Sequence, residues 1–184
     1  MSNLINKKPA PRLVGITGRA RAGKTTVAEF LVASFGYEQH SFADPIRRFT
    51  CHLLGITPAE LEAAKEQAIP WIPGFSPRRL MQTLGTEWGR DMVSPALWID
   101  SCLHRAAAAP GPVVISDVRF DNEAAAIRER GGVVLRIKRD VDGVAAHRSE
   151  SGVEESLIDR TIHNDGSIAD LRVSVLRALL AVKK

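Results

Sequence analysis

Eight residues constrain this chain more than any others. Gly18-Arg-Ala-Arg-Ala-Gly23-Lys24-Thr25 follows a short apolar run, Leu13-Val14-Gly15-Ile16, and leads into Val27, Phe30 and Leu31 at helical spacing. The order is strand, glycine-rich loop, helix. In that setting the pattern G-x-x-x-x-G-K-[ST] has a physical meaning that a chance glycine-rich turn lacks. Consecutive backbone N–H groups and the positive end of the helix surround an anionic phosphate, Lys24 reaches the β and γ phosphates of a nucleotide, and the Thr25 hydroxyl ligates Mg²⁺. Arg21, inside the loop, adds a charge-assisted contact.

Composition sets the frame around this loop. The chain has 184 residues, 45% of them hydrophobic and 25% charged. That suits one domain with a full core and excludes a disordered chain. No apolar stretch approaches the roughly 18 residues of a spanning helix, and Met1 to Pro9 has no apolar signal-peptide core, so a cytoplasmic location is expected. Cys51 and Cys102 are the only cysteines, with neither a Cys-x-x-Cys pair nor a zinc-like His spacing, and read as core thiols. Of the 25 cations behind the net charge of +4, 18 are Arg and 7 are Lys. Guanidinium grips phosphate in a planar, bidentate way, so this excess suits phosphorylated small molecules at least as well as nucleic acid.

Beyond the loop, Gly36 stops the first helix and Tyr37 to Phe42 supply a second strand. Asp44-Pro45 opens a helix, with Asp44 as N-cap and Pro45 first in the helix, and Gly55 ends it. Thr57-Pro-Ala-Glu60 is a capping box. Ile69 to Phe75 is a loop, and Ser76-Pro77 and Ser94-Pro95 each cap a helix. Pro112-Val-Val-Ile-Ser-Asp117 is an apolar run ending in an acid, followed by a helix to Gly131-Gly132 and a strand from Val133 to Ile137. Lys138 to Arg160 is polar and reads as mobile. A short strand at Thr161 to His163, a turn at Asn164-Asp-Gly166 and a helix capped by Ser167-x-x-Asp170 complete the chain. Alternating strands and helices predict a parallel sheet covered on both faces, with ligands beyond the carboxyl ends of its strands. The helical block from Asp44 to Ala109 interrupts the alternation and is the natural home of substrate-specific structure.

No Asn-Lys-x-Asp sequence is present, which argues against a guanine-specific switch and for phosphoryl transfer to a bound acceptor. An acceptor with its own phosphate needs a second anion site. The arginines outside the loop are Arg47, Arg78, Arg79, Arg90, Arg119, Arg136, Arg139 and Arg148, although a lone Arg on a helix is usually solvated. Asp117 ends its strand where a carboxylate holds Mg²⁺ or orients the acceptor, the alternative being a plain helix cap. Trp88 and Trp98 offer flat faces for a base; Trp88 is assigned to the core. His147, Arg148 and Glu150 lie in the polar segment, where a lid would bring cations to the transferring oxygens.

Several strings together resemble the phage-type deoxynucleoside monophosphate kinases, relatives of the nucleoside monophosphate kinases. They are Gly18 to Thr26, Ala43-Asp-Pro-Ile-Arg47, Arg78-Arg-Leu-Met-Gln-Thr-Leu-Gly-Thr86, Trp98, Ser116-Asp-Val-Arg-Phe-Asp-Asn-Glu123, His147-x-x-Glu150 and Asn164-Asp-Gly166. The resemblance spans nearly the whole chain, except that the helical insert has no extended region between Ala68 and Ser76. It implies ATP and Mg²⁺, a deoxynucleoside 5′-monophosphate as acceptor and a diphosphate product. Gly18 and Arg21, Ala22, Gly23, Lys24, Thr25 and Thr26 would hold ATP, with Thr25 and Asp117 toward the metal. Ile46 and Arg47 would begin the acceptor site, Arg78 and Arg79 would meet its phosphate or sugar, Gly85 would allow close backbone approach, and Trp98 would flank the base. Asp117, Arg119 and Glu123 would line the floor between donor and acceptor. Lys24, Asp117, Arg119 and Arg148 would carry the chemistry.

The expected architecture is a single α/β domain, a three-layer α/β/α kinase fold with about five parallel strands. Its core is 12–42 and 111–184, its helical acceptor-binding insert 44–109 and its lid 139–160. The expected location becomes the host cytoplasm if the chain is phage-encoded, and a homodimer is left open. Two rival readings stand beside the main one: a kinase of another phosphorylated acceptor, such as phosphomevalonate or dephospho-coenzyme A, and an ATP-binding module linked to nucleic acid. The second would need a basic patch with interleaved aromatics, which the sequence lacks, so no stable nucleic-acid binding and no membrane association are expected.

Overall fold

The computed structural model describes residues 11–139 and 152–181. It divides into two compact units, Met1–Ser41 with Arg105–Lys184, and Phe42–His104.

The first unit is built on five parallel strands, β1 (Leu13–Thr17), β2 (Glu38–His40), β3 (Val113–Ile115), β4 (Val133–Lys138) and β5 (Arg160–His163), in the order β2-β3-β1-β4-β5. Register follows the apolar runs: Gly15 lies opposite Ile115 on one side and Val134 on the other, and Thr17 opposite Arg136. Because both faces are covered, the central strands read as nearly continuous apolar sequence. Val14 and Ile16 point into a core with Val27 and Leu31 of α1 (Lys24–Phe35) and Leu171 and Val175 of α7 (Ile168–Ala181). On the opposite face α6 (Asp121–Glu129) packs against Gly15, where a Cβ would meet the Ile127 Cδ1 at 2.7 Å. The result is three layers, helix, sheet and helix. Each fully buried Ile or Leu contributes roughly 1.5–3 kcal/mol relative to exposure.

Strand order reverses at β1, which has β3 on one side and β4 on the other. A crevice therefore opens beyond its carboxyl end, where the glycine-rich loop begins. The Ser167–Asp170 cap forms as read: the Asp170 carboxylate accepts from the Ser167 hydroxyl at 2.7 Å and from its N–H at 3.0 Å. These bonds, the hydroxyl's first, hold the Asp170 carboxyl below its ordinary range.

The second unit is helical. It holds α2 (Asp44–Leu54), α3 (Pro58–Ala63), α4 (Pro77–Gln82) and most of α5 (Leu97–Ala108). Thr57 and Glu60 form the capping box, and Ser76 caps α4 by accepting from the Arg79 N–H. The turn over 69–75 is closed by Ile69 N–H to Phe75 O at 2.9 Å.

Several boundaries differ from expectation. Ala43, not Asp44, is the N-cap of α2; Asp44 lies inside the first turn, where its carboxylate still meets the positive helix end. The helix read from Ser94-Pro95 starts at Leu97, and the Ser94 hydroxyl accepts from the Ala96 N–H at 3.2 Å. Strands β2 and β3 are three residues each. Between α4 and α5 the chain runs as a π-helix from Thr83 to Val93, with Ser94 N–H bonded to Gly89 O at 3.0 Å. No helix among the described residues is long and apolar enough to cross a membrane.

Candidate active site

In the first unit, the loop after β1 is shaped by contacts that only certain residues allow. Gly18 has φ 141°, and a Cβ there would lie 2.2 Å from the Ile137 carbonyl oxygen of the neighbouring strand. Gly23, the N-cap of α1, has φ 104°, and a Cβ there would lie 2.5 Å from the Asn164 Nδ2. Arg21 has φ 62° and is the one non-glycine with positive φ among the described residues, a conformation that costs free energy and persists where the surrounding structure over-determines the backbone. The Lys24 Nζ donates to the carbonyls of Gly18 and Arg19, each at 2.7 Å, so the ammonium lies folded across the loop.

A cavity of about 400 Å³ opens against this loop, lined by Arg21, Gly23, Lys24, Thr25, Thr26, Arg139, Asn164, Gly166, Ile168 and Leu171. Its lining carries three cations and no acid, beside the N-terminus of α1. Such a wall favours a polyanion. Ala22 is buried among core residues and offers a ligand its backbone alone.

Asp117 lies two residues past β3 and accepts from the Ser41 hydroxyl at 2.5 Å. Ser41 is buried, and its carbonyl accepts from the Arg105 guanidinium at 3.3 Å. The Gln39 amide donates to the Ser116 hydroxyl at 3.0 Å. The ends of β2 and β3 are thus tied together under the Asp117 carboxylate. Glu123 is 3% exposed, and its carboxylate accepts from the N–H groups of Arg119 at 2.8 Å and Phe120 at 3.2 Å. It shapes the turn carrying Asp117 and Arg119, whose side chain is exposed. Arg136 is engaged by Glu155 and the Val153 carbonyl, a structural use. Arg148, with His147 and Glu150, lies outside the described residues, as does most of the proposed lid.

In the second unit the structure joins three of the sequence candidates. A Cβ on Gly85 would lie 3.0 Å from the Ile46 Cδ1, and the Gly85 carbonyl accepts from the Trp98 Nε1 at 2.8 Å. The Trp98 ring is 7% exposed and lies against Gly89. Trp88, assigned to the core from sequence, is instead 45% exposed, its ring centroid 6.2 Å from that of Trp98. Trp88 lies within the π-helix of Thr83 to Val93, on its exposed side. Arg79 is held by the Gly74 carbonyl at 2.8 Å and over the Phe75 ring at 4.6 Å, while Arg78 pairs with Glu66. Arg47 lies 3.9 Å from Asp44.

Sequence reading missed three contributors: Ser41, Arg105 and the side chain of Asn164. Only the position of Asn164, inside an Asn-Asp-Gly turn, could have signalled its part.

A model of the deoxynucleotide monophosphate kinase family matches residues 56–175. A protein of Acanthamoeba polyphaga mimivirus named as a deoxynucleotide monophosphate kinase is 34% identical over 157 residues, covering 75% of this chain and 80% of the relative. The deoxynucleoside-5′-monophosphate kinase of Escherichia phage T5 is 26% identical over 236 residues, covering 89% and 94%. Among solved structures, shikimate kinase from Acinetobacter baumannii in complex with shikimate covers 94% of each chain with a TM-score of 0.51 at 17% identity, a likeness of fold. A phosphate-shaped loop at the sheet's switch point and a family match over more than half the chain agree: this protein is a kinase and belongs to the deoxynucleotide monophosphate kinase family.

Proposed function

We propose that the chain transfers the γ-phosphoryl group of ATP to a deoxynucleoside 5′-monophosphate, giving ADP and the deoxynucleoside diphosphate. The observation that carries this reading is the cationic cavity against the loop of Gly18 to Thr26, in a chain of this family. The family match favours a nucleotide acceptor over phosphomevalonate or dephospho-coenzyme A.

The donor triphosphate lies against the loop, its oxygens met by the backbone N–H groups from Gly23 to Thr26, with Lys24 swinging from the Gly18 and Arg19 carbonyls onto the phosphates. Arg21 and Arg139 add charge at the cavity wall. The donors suited to Mg²⁺ are hard oxygens, the Thr25 hydroxyl and the Asp117 carboxylate. Among the described residues no group of three or more His, Cys, Asp or Glu could cage a metal, so an ion here relies on phosphate oxygens and water, the coordination Mg²⁺ prefers. When bound, Mg²⁺ neutralises charge on the β and γ phosphates.

On the second unit, Ile46, Gly85 and Trp98 form a small platform for the acceptor, with Trp98 supporting it from beneath. Arg47, Arg78 and Arg79 supply guanidinium groups for the acceptor phosphate, Arg79 by leaving the Gly74 carbonyl. Glu123 holds the turn that presents Asp117 and Arg119. Catalysis is positioning plus charge neutralisation by Lys24, Arg119 and Arg148, with little covalent work by the protein.

A coupled assay of ADP release tests this across dGMP, dTMP, dCMP, dAMP, their ribonucleotides, phosphomevalonate and dephospho-coenzyme A. ADP release with at least one deoxynucleotide is expected. Release with none of them overturns the proposal, and a mobility shift on DNA without ADP release supports a binding module instead.

A further inference from the structure

We propose that Asn164 is a positioning residue for phosphate binding, fixing the orientation of the peptide between Ala22 and Gly23. This rests on reading the loop as the donor site. Asn164 lies just after β5 and is 8% exposed. Its backbone N–H donates to the Lys138 carbonyl at 2.7 Å, extending the β4–β5 ladder by one bond. Its side-chain Nδ2 donates to the Ala22 carbonyl at 2.9 Å, across 142 positions of sequence. The sheet therefore anchors the side chain, and the side chain anchors the loop.

The consequence follows from peptide geometry. In a planar trans peptide the C=O and the following N–H point in opposite directions. A Ala22 carbonyl held toward Asn164 therefore turns the Gly23 N–H away from it. Among the described residues no acceptor takes that N–H, so it is a donor available to an anionic oxygen. The peptide needs such a clamp because it is followed by glycine, whose φ of 104° comes with no Cβ to resist reorientation. A flip of this peptide would present a carbonyl oxygen to the phosphate in place of a donor. Gly23 in turn makes room for the clamp, since any Cβ there would strike the Asn164 Nδ2 at 2.5 Å. The two residues are a matched pair.

The test is direct binding of ATP and of inorganic tripolyphosphate to wild-type protein, Asn164→Ala and Asn164→Asp, by titration calorimetry. Asn164→Asp keeps the shape but replaces the donor by an acceptor facing the Ala22 carbonyl. In each variant the loss of affinity is expected to be equal for ATP and for tripolyphosphate, about tenfold in the alanine variant, equal to about 1.4 kcal/mol, and greater in the aspartate variant. In steady state the KM for ATP rises while that for the acceptor stays within about twofold, as expected when only donor binding is weakened. With glycine ¹⁵N labelling, the Gly23 amide resonance should move on adding tripolyphosphate to the wild type and stay in place in Asn164→Asp. Unchanged tripolyphosphate affinity in both variants overturns the proposal. A loss for ATP without a loss for tripolyphosphate also overturns it, since Asn164 would then serve the base. Because tripolyphosphate binding needs no turnover, a wild type that binds it yet phosphorylates no nucleotide would sink the proposed reaction and leave this inference standing.

Discussion

The Ser41 hydroxyl donates to the Asp117 carboxylate at 2.5 Å, joining the carboxyl ends of β2 and β3. Both residues sit just past their strands, so the bond fixes a loop carboxylate to the rigid sheet. A carboxylate that must face a metal or an acceptor oxygen gains from such anchoring, because an unanchored one spends time in other rotamers.

Removing the anchor has a defined expected outcome. A hydrogen bond to a charged group is worth about 1.5–3 kcal/mol, so Ser41→Ala should lower kcat by roughly tenfold or more, with the KM for ATP little changed. Steady-state kinetics with ATP varied at saturating acceptor checks this. A kcat equal to the wild type would show that Asp117 is held by other means.

Lys24→Ala should reduce kcat/KM on the order of 10³-fold, as loss of a principal charge-stabilising donor does. The same change removes two bonds to the Gly18 and Arg19 carbonyls, at roughly 0.5–1.5 kcal/mol each and less where solvent competes. Thermal unfolding should therefore shift by only a few degrees. Near wild-type phosphoryl transfer in this variant would place the donor site elsewhere.

Gly18→Ala combines left-handed backbone strain with a Cβ driven to 2.2 Å from the Ile137 carbonyl. The obstacle is backbone of a central strand and cannot swing aside. A loss of about 3 kcal/mol or more is expected, read from the urea midpoint at constant m-value. A change within about 0.5 kcal/mol, ordinary for a surface position, would contradict the close packing of loop on β4.

In the second unit, Gly89→Ala would bring a Cβ within 2.5 Å of the Trp98 ring and push the indole from the Gly85 carbonyl. Stability should fall by about 1–3 kcal/mol. If Ile46, Gly85 and Trp98 form the acceptor platform, the KM for the deoxynucleotide should rise while the KM for ATP holds. Equal rises in both constants would remove the platform from the acceptor site.

The parts legible in the sequence were those set by local rules. Leu13 to Ile16 followed by Gly18 to Thr25 specified strand, loop and helix, because periodicity and glycine placement act over a few residues. The Thr57–Glu60 and Ser167–Asp170 caps were legible for the same reason. The π-helix was not, because what accompanies it, the room that Gly89 leaves for the Trp98 ring and the Trp98 bond to the Gly85 carbonyl, involves a residue beyond the segment itself. Trp88, assigned to the core, is exposed beside the Trp98 ring. Ser41, Arg105 and Asn164 escaped because each acts through a partner far along the chain, 76 positions for Ser41 with Asp117 and 142 for Asn164 with Ala22. Asp44 shows the reverse error: a strong local cap signal was displaced by one residue, since the helix begins at Asp44 itself and Ala43 is its N-cap.

Tyr37, the only tyrosine of the chain, gives the fold a pH dependence with a fixed sign. Its hydroxyl is buried and donates to the Pro11 carbonyl at 2.7 Å, and burial pushes the phenol up to about 12. The unfolded chain releases this proton near pH 10, the folded one only near 12. The neutral phenol therefore contributes stability that is fully present below about pH 10 and is lost as pH rises toward 12. The two-unit difference corresponds to about 3 kcal/mol at most. Urea unfolding of wild type and Tyr37→Phe at pH 9 and pH 11 isolates the effect, since other titrating groups act on both proteins alike. The stability advantage of the wild type should shrink between the two values, and the ultraviolet absorbance of phenolate should appear only above pH 11 in the folded protein. Phenolate forming near pH 10 without unfolding would mean that the hydroxyl is open to water.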